Sequence, residues 1–455
     1  QALAAVLQLE RACGVRLSVQ ELFESPTAQG AAARVRAVRE GRRDGDAEVL
    51  ALMERDAGLY TRLALQPRAP ERRAPRRILL TGATGFVGGY LARELLCRGK
   101  EVQVYALARG QGDVQAQLVE SMGGRRLWDE RFAGRLHAVR GDLAQTRLGL
   151  RQESWARLAA ECDAIVHCGA LVNFVYDYRV HRAANVLGTL ELLELAAQER
   201  AKPLHFVSTL GTLDREAALR SEPLAEDFEL TRGVAPLSGY SRSKWVAERL
   251  VRGARAAGQS ATVYRLGEVM PSALHGLPNP RALTHFLLAA CVRLGAVPAA
   301  DIRSDWSPAD YVARRVVAGV FDPAAWDRDY HVIHPRSVSL AEALARAGMD
   351  LPVLPCRAWI ERLERLAAPG QPLARELALV RGFLPDRNLP EAALAAALAG
   401  LLIDNARLFR RDACAALEAV HGDDADLDPA IAAYARELRA RHGSDAALTV
   451  TKENA

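Results

Sequence analysis

From residue 78 to about residue 269 the chain alternates short apolar runs with longer amphipathic stretches. The runs Ile78–Thr81, Val102–Leu107, Leu136–Val139, Ala164–His167, Leu204–Val207 and Thr262–Arg265 read as strands, with a seventh at Tyr330–Ile333. Between them Val87–Arg98, Arg182–Gln198 and Tyr240–Arg255 carry helical spacing. Strands that alternate with helices predict an α/β fold, a doubly wound parallel sheet covered on both faces, because each parallel step needs a long crossover.

The flanks are different. In the first forty residues Leu3, Val6, Leu7 and Leu9 are apolar at helical spacing, which predicts a small helical piece over 1–41. Residues 42–76 are rich in arginine, aspartate, alanine and closely spaced prolines (Pro67, Pro70, Pro75) and read as a linker. Leu52, Leu59, Tyr60 and Leu63 are placed to dock one short helix of it. Beyond Val269 the leucine- and alanine-rich stretches Arg281–Leu294, Ala358–Ala367 and Pro390–Leu402 predict a smaller, mainly helical lobe over 270–455, with a returning strand and motif at 305–335. The sheet region is therefore bounded at 77–269.

Composition narrows the classes. Half of the 455 residues are apolar and a quarter charged, the balance of a globular protein with sizeable cores. Sixty basic against fifty-five acidic side chains leave +5, too little to argue for nucleic acid. Only Lys100, Lys202, Lys244 and Lys452 are lysines, so a lysine inside a motif carries weight. The seven cysteines form no CxxC pair and no metal-like spacing with histidine, so no metal is expected and a reducing cytoplasm fits. The longest apolar stretch, residues 392–403, is about half of the roughly 20 residues a membrane helix needs, and no leader opens the chain; no membrane partner is expected.

Two clusters carry chemistry. Thr81-Gly82-Ala83-Thr84-Gly85-Phe86-Val87-Gly88 sets three glycines where a strand ends and a helix begins. There the backbone can approach a pyrophosphate and the first helical N–H groups face it. The second strand ends in Ala106-Leu107-Ala108-Arg109 with no acid to take ribose hydroxyls, and an arginine there favours a 2′-phosphate, hence NADPH. Asp142 in Arg140-Gly141-Asp142-Leu143 follows the third strand, where it can accept from an adenine amino group or cap a turn.

The second cluster is Tyr240 and Lys244, four apart at the start of a helix and so on one face. An ammonium beside a phenol stabilises the phenolate, so Lys244 is expected to lower the proton affinity of Tyr240. Thr209, just past the fifth strand, joins them at the rim where doubly wound sheets bind ligands, with Ser208 as the alternative hydroxyl. His167 and Cys168 are neighbours on a strand and point to opposite faces, which excludes a nucleophile–base pair. The acidic, proline-containing stretch between Leu213 and Ser238 is expected to gate the site, and Asp310 to cap a helix.

TGATGFVG, GDL, His167-Cys-Gly-Ala170-Leu-Val-Asn173, Asn185-Val-Leu-Gly-Thr189, Val-Ser-Thr209, Gly-Tyr240-Ser-Arg-Ser-Lys244 and Ser307-Pro-Ala-Asp310-Tyr together resemble the extended short-chain dehydrogenase/reductases. Within these the chain is similar to the thioester reductase domains that end some nonribosomal peptide synthetases, polyketide synthases, aminoadipate reductases and carboxylic acid reductases. The resemblance is dense from about Arg77 to His334. It implies a Rossmann-type domain binding NADPH through Gly82, Thr84, Gly85, Phe86, Val87, Gly88, Arg109, Asp142, Leu143, Ala170, Tyr240 and Lys244, with Thr209, Tyr240 and Lys244 catalytic. The implied reaction is reductive release of a carrier-bound acyl or peptidyl thioester as an aldehyde, or onward to the alcohol. Gly14-Val-Arg-Leu-Ser-Val-Gln-Glu-Leu-Phe23-Glu-Ser-Pro26-Thr27 resembles the second half of a carrier protein, whose phosphopantetheine serine is expected ahead of Gln1. The implied partners are that carrier and the upstream synthetase or synthase modules. Two other readings share parts of the pattern: a nucleotide-sugar epimerase or dehydratase with bound NAD, and a non-catalytic dinucleotide-binding module.

Overall fold

The computed structural model describes residues 45–64, 70–173, 176–230, 235–236, 238–280, 282–366, 388–422 and 426–450, with Ala32 alone upstream. The carrier-like reading of 1–41 lies outside the described residues. The chain divides into two compact units, one of Gln1–Ser221, Asp227–Arg265 and Gly319–Tyr330, the other of Glu222–Glu226, Leu266–Ala318 and His331–Ala455.

In the first unit the stretch between the carrier-like and sheet regions holds helix α1 (Gly45–Ala57). The alternating region then gives β1 (Arg77–Thr81), α2 (Phe86–Cys97), β2 (Gln103–Ala108), α3 (Val114–Gly123), β3 (Leu136–Arg140), α4 (Gln152–Glu161) and β4 (Ala164–His167). After these come α5 (Tyr178–Arg182), a π-helical turn over Ala183–Leu187, α6 (Gly188–Ala197), β5 (Leu204–Thr209), α7 (Asp214–Ala218), α8 (Gly239–Ala256) and β6 (Ala261–Leu266). A last strand, β7 (Asp329–Val332), returns to the sheet.

The strand order is β7-β6-β5-β4-β1-β2-β3. β1 runs parallel to both β2 and β4, and β2–β3 and β4–β5 are parallel too. β4, β6 and β7 are buried at every residue, as the near-continuous apolar runs require of a sheet covered on both faces. Strand order reverses between β1 and β4, and in an open α/β sheet ligands bind beyond the carboxyl ends of strands at such a reversal.

The second unit is mainly helical: α9 (Leu283–Leu294), most of α10 (Ala309–Phe321), α11 (Leu340–Arg346), α12 (Cys356–Leu366), α13 (Glu391–Ala399), α14 (Asp412–His421) and α15 (Asp428–Val450), with short two-stranded ladders between them. Its core gathers Leu287, Leu288, Trp306, Trp359, Leu394 and Tyr434. Burying a leucine side chain from water contributes about 1.5–3 kcal/mol, which is why an Ala/Leu-rich sequence suffices to build it.

Candidate active site

The glycine turn sits at the strand-order reversal, beside the loop that leaves β4. Gly82 has φ +81°, and a Cβ there would stand 2.7 Å from the Gly169 amide nitrogen. A Cβ on Gly88 would overlap the Gly82 carbonyl oxygen, which accepts the Gly85 N–H at 2.8 Å. These positions exclude any larger residue because turn, helix and neighbouring loop close on each other. Gly85 is the N-cap of α2 and, as a glycine, supplies no side-chain cap to the first-turn amides that follow it. Thr84 and Gly85 are exposed and Phe86 and Val87 half-buried, so this helix start opens outward. An open helix start of this kind can cradle a pyrophosphate anion.

Arg109 directly follows β2, exposed and with no ion pair among the described residues. Two other guanidiniums brace its surroundings. Arg140 donates to the carbonyls of Gly110 and Gly112, and Arg125 donates to the Thr84 carbonyl of the glycine turn and to Ser121 Oγ at 2.9 Å. Asp142 is half-buried, and its carboxylate accepts the Ala144 N–H at 2.9 Å, the turn-capping arrangement. Leu143 packs its Cδ1 against Gly169, and Ala170 lies half-buried in the same loop.

Behind the turn, His167 is spoken for on both ring nitrogens. Nδ1 lies 2.8 Å from Thr81 Oγ1 and Nε2 3.0 Å from Thr189 Oγ1, while the Gly169 N–H donates to Thr81 Oγ1 at 2.9 Å. Burial and then the charge of Lys244 hold this imidazole neutral, well below its usual pKa. Cys168 is an electrostatic neighbour of Tyr240 and Lys244; burial pushes its thiol up to about 12, so it stays protonated and is no nucleophile.

Helix α8 starts at Ser238, whose side chain accepts the Ser241 N–H at 3.0 Å, and this cap fixes the first turn on which Tyr240 stands. Thr209 Oγ1 accepts the Gly211 N–H at 3.2 Å, which leaves its hydroxyl hydrogen free to donate. A Cβ on Gly211 would lie 2.9 Å from Ser241 Oγ and 3.4 Å from Thr209 Oγ1, so Thr209 and the first turn of α8 adjoin through that glycine. Ser208 is committed elsewhere: its hydroxyl donates to Glu248 at 2.8 Å, and Glu248 in turn accepts from buried Arg265 Nε at 2.9 Å. It is therefore no alternative donor at the rim.

Lys244 is anchored on the β5 backbone. Its Nζ donates to the Val207 carbonyl at 2.8 Å and stands 3.9 Å from the centre of the Phe206 ring, and burial lowers its pKa to about 8. Burial, and then the Cys168 thiol, push the Tyr240 phenol above its usual range, so it carries its proton.

Sequence reasoning quoted Asn185 within a motif but gave it no role in the framework of this site. Asn185, in the π turn, accepts the Leu171 N–H at 2.7 Å and donates to the Leu171 carbonyl at 3.0 Å and to Ser243 Oγ at 2.9 Å. It ties the loop after β4 to α8, and π turns often mark functional sites. The Ser238 cap had a visible signal, a serine just ahead of a helical run; Arg125 and Arg140 had none, because they act on backbone carbonyls distant in sequence. The stretch expected to gate the site is held at 222–226, within the second unit: Leu224 exchanges backbone bonds with Leu408 and Arg410, and Glu226 accepts the N–H groups of His331 and Cys414. Asp310 stands in the first turn of α10, where its carboxylate accepts the Ala273 N–H at 3.2 Å.

The profile of a family described as Male sterility protein matches residues 80–316. A linear gramicidin synthase polypeptide of Brevibacillus parabrevis is 34% identical over 361 residues, which is 75% of this chain and 7% of that protein. The chain thus spans a small fraction of that relative. Among solved structures, the terminal R domain from the myxalamid PKS-NRPS biosynthetic pathway aligns with a TM-score of 0.74 at 34% identity, covering 86% of this chain and 98% of that one. A thiolation-reductase di-domain from an archaeal non-ribosomal peptide synthetase shares the fold at 18% identity, TM-score 0.69, over 98% of this chain and 91% of its own. A UDP-glucuronic acid 4-epimerase from Bacillus cereus shares it at 15% identity and TM-score 0.52, over 80% and 99%.

Proposed function

This chain belongs to the NAD-binding family described as Male sterility protein, and on that premise we propose that it reduces a carrier-bound acyl or peptidyl thioester with NADPH and releases the acyl group as an aldehyde. When bound, NADPH supplies the hydride. The uncapped start of α2 takes the pyrophosphate, the three close-packed glycines leave room for it, and Arg109 takes the 2′-phosphate. Thr209, its lone pair occupied by the Gly211 N–H, donates its hydroxyl hydrogen to the thioester oxygen. Tyr240 gives its proton to that oxygen as negative charge develops on it. Lys244, fixed on Val207, keeps two further N–H donors for the nicotinamide ribose and places positive charge near the phenolate that remains. The hemithioacetal so formed breaks its C–S bond, and the pantetheine thiol leaves with the hydroxyl proton. The same residues can serve a second reduction of the aldehyde to the alcohol.

The observation that carries this reading is geometric: the glycine turn closes on the loop after β4, and Thr209 adjoins the first turn of α8, in a chain 34% identical to a terminal R domain over 86% of its length. The likeness to the nucleotide-sugar epimerase, at 15% identity, supports the fold alone. Residues 1–41 are read as the latter part of the carrier that presents the phosphopantetheine-bound substrate, with the upstream modules as its source.

Purified chain mixed with a soluble acyl-pantetheine thioester and either NADPH or NADH tests the reading. NADPH consumption with aldehyde or alcohol formation is expected. Tightly bound NAD that turns over a nucleotide sugar without net consumption would replace it with the epimerase reading.

A further inference from the structure

The segment read as a linker is built into the wall behind Tyr240. Helix α1 lays Val49, Met53 and Ala57, one face at i, i+4 and i+8, into the first unit with 6%, 0% and 5% exposure. On that face sits a carboxylate, Asp56, only 2% exposed. It accepts three bonds from α5: Tyr178 Oη at 2.6 Å, Arg182 Nε at 2.6 Å and a terminal nitrogen of Arg182 at 2.7 Å. A buried carboxylate is tolerated only with such partners, and removing it leaves a guanidinium uncompensated. Glu54 adds a two-pronged pair to Arg249 on α8, at 2.6 and 2.8 Å, and Arg249 lies over the Trp245 ring. Further along, a Cβ on Gly253 would fall 2.5 Å from the Tyr60 ring, so the segment follows α8 from Arg249 to Gly253, about one turn.

What α5 holds at its other side is the start of the catalytic helix. The His181 ring centre lies 6.1 Å from that of Tyr240, and its Nδ1 is 2.7 Å from the Asp177 carbonyl. Gly239, the residue before Tyr240, has no room for a Cβ because the Tyr176 carbonyl and the Asp177 backbone press on it. The π turn that continues α5 carries Asn185, bonded to Ser243 one residue from Lys244. α5 is therefore a bracket with Asp56 on one side and the Tyr240–Lys244 turn on the other.

We propose that Asp56 is a positioning residue for the reduction: through Tyr178 and Arg182 it sets α5 against the start of α8, so that the arm arriving from the carrier side holds Tyr240 in place. This rests on the reading of Tyr240 as the proton donor. A displacement near 1 Å at a reacting group costs as much as about 100-fold in rate, so a modest loosening of α5 suffices to be seen.

The test compares the full chain with Asp56→Asn and with Arg72→Gln, which breaks the Arg72–Asp327 pair of the same unit away from α8. In Asp56→Asn, hydrogen exchange of the amides of residues 238–246 is expected to speed up about 10-fold while β1–β3 stay unchanged. The kcat for a soluble acyl-pantetheine thioester is expected to fall about 10-fold or more, with KM for NADPH within about 2-fold, because the cradle is untouched. Arg72→Gln is expected to change neither. Should Asp56→Asn fail to fold, Tyr178→Phe removes one of the three donors and is expected to give the same pattern at smaller amplitude. Unchanged exchange at 238–246, faster exchange with unaltered kcat, or the same pattern from Arg72→Gln would each overturn the inference. If the unaltered chain consumes no NADPH with a thioester, the reading of the reaction fails, while the exchange comparison still decides whether Asp56 holds the start of α8.

Discussion

Single side chains decide the chemistry here through what already occupies them. Thr209 and Ser208 are adjacent hydroxyls at the end of one strand, yet Ser208 has spent its hydrogen on Glu248 whereas Thr209 has only accepted one. Lys244 is likewise defined by its partner, the Val207 carbonyl, and by the burial that brings its pKa to about 8. The sign follows directly: below pH 8 it is an ammonium and above it an amine, so a step that needs the cation loses rate as pH rises through about 8. The pH profile of kcat/KM, which reports the free enzyme, is expected to show that alkaline limb, and Lys244→Met to abolish it along with most of the activity. Tyr240, raised by burial, stays protonated across the same range and sets no limb there. Arg109 is the residue proposed to select the cofactor. Charge-assisted bonds contribute about 1.5–3 kcal/mol, so Arg109→Ala is expected to weaken NADPH binding by roughly 10- to 100-fold and leave NADH affinity nearly unchanged, measured by fluorescence titration. Equal losses for both would mean that Arg109 does not read the 2′-phosphate.

Elements place those residues, and most of the elements were legible. The apolar runs gave the strands to within two residues at either end, since a strand covered on both faces has few polar positions to blur it: Ala164–His167 is the same in sequence pattern and structure, and Leu204–Val207 extends only to Thr209. The glycine turn was legible because its demand is steric. Gly88→Ala puts a methyl into the Gly82 carbonyl oxygen and is expected to lower NADPH affinity more than 10-fold and to lower Tm, both measurable on one preparation. Less was visible where one segment acts on another far along the chain. In residues 42–76 the sequence offered one short helix docked through Leu52, Leu59, Tyr60 and Leu63, whereas the buried positions of α1 are Val49, Met53, Asp56 and Ala57. Spacing also put Lys244 on the face of Tyr240 but carried no information on its bond to the Val207 carbonyl.

At the scale of the molecule, the sheet's reversal of order between β1 and β4 gathers the cradle, the loop after β4 and the start of α8 onto one rim of the first unit. Everything the chain is proposed to do depends on a phenol at that rim delivering a proton to the thioester oxygen while hydride arrives at the carbon. Electrostatic and proton-donor terms of this kind are worth about 100- to 10,000-fold in rate. The direct measurement is single-turnover reduction of an acyl-pantetheine thioester by the unaltered chain and by Tyr240→Phe, each saturated with NADPH. A rate at least about 100-fold lower in Tyr240→Phe, with NADPH affinity retained, is the expected result; an equal rate in the two proteins would contradict the account.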